Sequence, residues 1–101
     1  MLLLPAAVTL VEARDTLRML AQAVPHEPDA RLTLDASAMT RFDTSALAVL
    51  LECRRLAQAS GRAFTVRRVP AKLTALAELY GVDALLFAAE PEAAKLPAAN
   101  A

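Results

Sequence analysis

Apolar residues recur along this chain at two alternating spacings, one suited to helices and one to strands. Met1–Val8 is a short apolar run interrupted by Pro5, which suits an edge strand or an extended lead-in. Thr9-Leu10-Val11-Glu12 reads as a capping box, in which the threonine and the glutamate three residues later exchange bonds with free helix N–H groups. Ala13, Leu17, Leu20 and Val24 then repeat at helical spacing, with Arg14, Asp15, Arg18 and Gln22 on faces read as solvated, and the helix ends before Pro25. After a polar turn, Arg31–Asp35 alternates polar and apolar residues as a strand does. Ala36–Phe42 reads as an irregular connection. Asp43-Thr44-Ser45 suits a helix start, and a second helix runs from Ala46 to about Ser60, closed by Gly61. Its apolar coverage is wide: Leu47, Val49, Leu50, Leu51, Cys53, Leu56 and Ala57 leave only a narrow stripe at Glu52 and Arg55. Such a helix buries more than one side, or buries one and offers part of another to a partner. Ala63–Val69 is the next strand. Pro70 opens a third helix through Leu73, Leu76, Ala77 and Tyr80, ended by Gly81, and Val82–Phe87 fits either a short strand or a helical turn. Residues 88–101, rich in Ala, Pro and Glu, read as a frayed tail beyond a domain spanning 1–87. Strand and helix alternate, so the expected class is α/β: one small mixed β-sheet with three to four helices packed on it.

Composition sets the material of that core. Hydrophobic residues make up 56% of the 101 and aromatics only 4%, so the interior is aliphatic. One domain is all this length supports. The single cysteine excludes an internal disulfide framework and any cysteine zinc cluster. Eleven basic side chains balance eleven acidic ones, which argues against a generic nucleic-acid binder. A charged fraction of 22%, with no apolar run near the ~20 residues a spanning helix needs, argues against membrane insertion. Met1–Pro5 lacks the basic start of a signal peptide, and the expectation is a soluble, reduced, cytoplasmic domain.

Little here supports catalysis. His26, the only histidine, falls in a surface turn between Pro25 and Pro28 with no orienting partner in view. Cys53 falls mid-helix among leucines, where a buried thiol is inert unless a positive neighbour lowers its pKa. Only Gly61 and Gly81 exist, each ending a helix, so no glycine-rich phosphate loop can form. Metal ligands are too sparse. No catalytic residue, metal or cofactor is expected.

One constellation remains, running from Asp35 through Ser37 to Asp43-Thr44-Ser45-Ala46-Leu47. As plain structure it is a strand end followed by a helix cap. As function, hydroxyls at the positive end of a helix make a place where a phosphate is attached or a partner's acidic group is bound. Phosphorylation there adds a charge of about −1.5 to −2 and can switch a docking surface without changing the fold.

The segment resembles the signature of STAS domains, the sulfate-transporter and anti-sigma-factor-antagonist family. These show a strand ending in Asp-x-Ser, a short loop, then Asp-Ser/Thr-Ser/Ala-Gly-Leu leading into an apolar helix. Asp35-Ala36-Ser37, Phe42-Asp43-Thr44-Ser45-Ala46-Leu47 and Ala48-Val49-Leu50-Leu51 follow that plan, and Tyr80-Gly81-Val82 is similar to the family's final helix and turn. The resemblance covers roughly residues 6–87. Within the family the chain looks most like the MlaB-type subunit of bacterial phospholipid ABC transporters, in its compact length and its Leu-Glu-Cys-Arg-Arg-Leu helix. The resemblance implies a non-enzymatic accessory subunit that binds the transporter's ATPase in the cytoplasm, peripheral to the inner membrane. By the same resemblance Ser45 matches the serine phosphorylated in anti-sigma antagonists, and Thr44 the threonine important in the MlaB-like group. Asp35 and Asp43 match acidic residues flanking the switch loop, and Ser37, Ala46 and Leu47 complete the expected partner-binding loop.

Two departures are visible. Ala46 stands where the family carries Gly, and the N-terminal part is shorter than in many anti-sigma antagonists. The alternative reading is an anti-sigma factor antagonist regulated by phosphorylation of Ser45. A third, from another class, is a small enzyme with Cys53 as nucleophile. A homodimer is compatible with the sequence but not indicated by it.

Overall fold

Pro5 divides the N-terminal apolar run into two strands that join different sheets. In the computed structural model, which describes residues 1–87, β1 (Leu2–Leu3) pairs with β3 (Arg31–Asp35), while β2 (Ala7–Val8) pairs with β4 (Arg41–Phe42). The tail expected over 88–101 lies outside the described residues. The larger sheet has the order β1-β3-β5, with β5 at Ala63–Arg67. Leu34 of the central strand stands opposite Leu2 on one side and Val66 on the other. The mixed sheet expected from the sequence is, among the described residues, built from parallel pairings alone. Parallel neighbours require long crossovers, and the helices supply them.

β4 corrects the irregular connection expected at 36–42. Two residues are too few to show alternation. The strand arises from a tertiary contact: Thr40 and Arg41 donate their N–H groups to the Ala6 carbonyl at 2.8 and 3.0 Å. Helix α1 (Ala13–Ala23) begins directly after the capping box that announces it. In that box the Thr9 N–H donates to Glu12 Oε1 at 2.9 Å, and the Val11 N–H donates to Thr9 Oγ1 at 3.3 Å. A 3₁₀ turn at Val24–His26 takes up Pro25. Helix α2 spans Thr44–Ala59, and Gly61 follows with φ +73°, a left-handed turn that a side chain would strain. Beyond β5 come α3 (Ala71–Leu79) and α4 (Asp83–Phe87), so the last ambiguous stretch is helical.

The core is aliphatic, with Leu4, Leu20, Leu32, Leu34, Leu50 and Leu73 fully buried. The breadth of apolar residues on α2 has a direct cause: the helix packs against α1, β5 and α4 at once. Leu47, Val49, Leu50, Cys53 and Ala57 are buried in those contacts, Leu51 and Leu56 are half-buried, and Ala48 faces outward. The helix therefore buries several sides and leaves a strip of its N-terminal half uncovered.

Candidate functional site

Asp43 fixes the start of α2. Its Oδ1 accepts from the Ser45 N–H at 2.8 Å, the ordinary N-cap bond. Its Oδ2 accepts from the Leu10 N–H at 3.1 Å, at the entry to α1. One carboxylate thus holds the N-terminal ends of α1 and α2 together. The plain-structure reading of the cluster is correct for Asp43, and it leaves the hydroxyls of Thr44 and Ser45 outside the cap bond. Thr44 is exposed and Ser45 half-buried.

Asp35 does a different job. It lies at the end of the central strand and is only 3% exposed. Its Oδ1 accepts from the Ser37 N–H at 2.8 Å, which turns the chain, and Oδ2 lies 3.5 Å from Arg68 Nη1. Arg68 itself has φ +56°, a left-handed conformation uncommon for a residue with a Cβ. Asp35 and Ser37 therefore shape the loop that leads to the helix start, while Asp43-Thr44-Ser45 form that start. Ala46 is 1% exposed. Its methyl group is a packing element of the core. Leu47, also buried, reaches the surface only as part of a groove wall.

Both aspartates titrate below the ordinary range. The Ser37 hydroxyl and N–H lower Asp35, with Arg68 and Arg67 adding attraction, while the N–H groups of Ser45 and Leu10 lower Asp43. Each folded pKa lies below the unfolded value, so the stabilisation is fully present above the ordinary aspartate value of 3.8 and is lost as the pH falls through the folded values. The melting temperature should therefore change little between neutrality and about pH 5 and drop steeply below about pH 4, with the drop reduced in Asp43→Asn. A thermal-melt series against pH checks this.

Two shallow apolar grooves flank the start of α2. One, of about 330 Å³, lies against α1 and is lined by Leu10, Ala13, Arg14, Leu17, Ser45, Ala48 and Val49. The other, of about 300 Å³, lies against the turn between α3 and α4 and is lined by Thr44, Leu47, Ala48, Leu51, Tyr80 and Val82. Ala48 belongs to both, so it is a low ridge between them. Leu10 at 77% and Tyr80 at 59% exposure extend the apolar surface on either side. Ser45 opens onto the first groove and Thr44 onto the second.

Sequence periodicity found α2 but missed Leu10, Ala48, Tyr80 and Val82 as parts of one surface, because only the fold brings them together. Arg14 is exposed, as the solvated face expected for it requires. It lines the groove that also holds Ser45. The one available signal was Leu10-Val11, two apolar residues in the first turn after a capping box, where the chain is normally exposed.

Cys53 is fully buried, and burial followed by the neighbouring Glu52 charge pushes its thiol pKa up to about 12. It is a packing residue, which removes the ground for reading it as a nucleophile. Cys53→Ala should cost about 1 kcal/mol of stability, as a small loss of buried volume does, and leave partner binding unchanged. A urea titration and a binding assay on the same preparation check both halves. Among the described residues no group of three His, Cys, Asp or Glu side chains is placed to hold a metal ion.

Compared with known families, residues 4–87 match a family model described as Mlab, STAS domain. No curated protein matches the chain. The matched span runs from β2 to α4 and contains the Asp35 turn, the Asp43 cap and both grooves. A match over that much of the 101 residues is decisive, and this chain belongs to the MlaB-type STAS domain family.

Proposed function

We propose that this domain is a non-enzymatic accessory subunit that binds the ATPase of a phospholipid ABC transporter through the N-terminal half of α2. The observation that carries the reading is the continuous apolar surface centred on Ala48, with Thr44 and Ser45 at its edges. Soluble domains seldom leave clustered apolar residues uncovered without a partner. The rigidly capped helix start suits docking, since little order need be gained on binding. No helix among the described residues is long and apolar enough to cross a membrane, so membrane association comes in this reading through the transporter complex.

The test is co-purification of the chain with the ATPase of a phospholipid ABC transporter from the same cell. A stable one-to-one complex supports the reading. Recovery of a serine kinase or an anti-sigma factor in its place would support the alternative, an antagonist switched at Ser45.

A further inference from the structure

We propose that Arg14 reads charge on the partner, and that the segment seated on the α1–α2 groove is apolar with a carboxylate placed opposite Arg14. This rests on the α2 face being the ATPase-binding surface. Arg14 is the single charged side chain among the residues lining the two grooves. The acids nearest to it in sequence are engaged elsewhere: Asp15 pairs with Arg18 at 3.1 Å, and Glu12 takes Thr9 and Arg41. Arg14 forms no ion pair among the described residues.

A partner that covers this groove also dries the guanidinium beside it. An unpaired charge taken out of water costs several kcal/mol. A carboxylate offsets that cost best, because its two oxygens match the guanidinium fork. An uncharged apolar segment would fit the groove walls and still be rejected, so Arg14 sets specificity where the walls set affinity. The same placement gives Ser45 a regulatory meaning. A negative group on Ser45 stands in the groove that Arg14 lines and competes with the partner's carboxylate for it.

The experiment is calorimetric titration of the transporter ATPase with the parent chain, Arg14→Met, Arg14→Glu and Ala48→Glu. It is run at about 50 mM and about 500 mM salt, between which the screening length shrinks severalfold. Arg14→Glu should weaken binding at least tenfold at low salt. Arg14→Met, which keeps the packing of the stem, should weaken it less and flatten the salt dependence. Circular dichroism should stay that of the parent. If Arg14→Glu binds as the parent does, or more tightly, while Ala48→Glu does not bind, the face is right and the role of Arg14 is wrong. If both variants bind as the parent does, the α2 face itself is wrong, and the role of Arg14 falls with it.

Discussion

Thr44→Glu and Ser45→Glu are expected to weaken ATPase binding at least tenfold, about 1.4 kcal/mol, with the circular dichroism spectrum and melting temperature close to those of the parent. The fold should survive because the cap rests chiefly on backbone N–H groups, with the Ser45 hydroxyl a lesser partner of Asp43. Asp43 bonds to the backbone N–H of Ser45, which every substitution except proline keeps. A carboxylate in the first turn also sits favourably at the positive end of α2. Binding should fail because each new charge lands at the edge of an apolar groove. At Thr44 a docked partner would have to bury it without a matching cation. At Ser45 the carboxylate competes instead for Arg14, which lines the same groove, and takes that guanidinium from the partner's carboxylate. Arg18→Ala is the suitable control: its side chain is well exposed on α1 and pairs with Asp15, away from both grooves. Parent-like binding by both Glu variants would leave the Asp43-Thr44-Ser45 cluster as a cap and nothing more.

Leu34→Ala is expected to lower folding stability by about 3–5 kcal/mol, the range for a fully buried leucine that leaves a cavity. Leu34 is 0% exposed and lies in the middle strand of the β1-β3-β5 sheet, so neighbours paired on both sides limit collapse around the gap. Domains of this size have total stabilities of only about 5–15 kcal/mol, so a loss of that size is a large share of the whole. In urea the midpoint should fall with the slope unchanged. Leu79→Ala, at a position 77% exposed, should shift the midpoint very little. A small effect at Leu34 would mean that the central strand is packed more loosely than the structure has it.

How far the sequence was legible depended on whether a feature is local. α2 was visible because its cap, its apolar spacing and Gly61 are all written in one unbroken stretch, Asp43 to Gly61. β3 and β5 were visible from alternation and residue type, and the Thr9–Glu12 box forms as its spacing requires. β2 falls inside the extended Met1–Val8 run, but β4 was hidden because it is two residues long and exists through pairing with β2, far away in sequence. The STAS signature located the helix start but did not divide its residues by role. Asp35 and Ser37 make a turn, Asp43 ties two helices, Ala46 fills the core, and Thr44 and Ser45 face the grooves. Arg14 is exposed as its helix face predicts, but its place beside α2 was not legible, nor was that of Tyr80. A helical wheel assigns faces within one helix and says nothing about which neighbouring helix stands beside them.

The most direct test of the central claim is hydrogen–deuterium exchange on the chain alone and in the presence of the transporter ATPase, compared peptide by peptide. The first three turns of α2, the Leu10–Leu17 segment and the Tyr80–Val82 turn should gain protection together, while the outer edges of β1 and β5 should exchange as they do in the free chain. Protection confined to those sheet edges, with the start of α2 unchanged, would contradict the account.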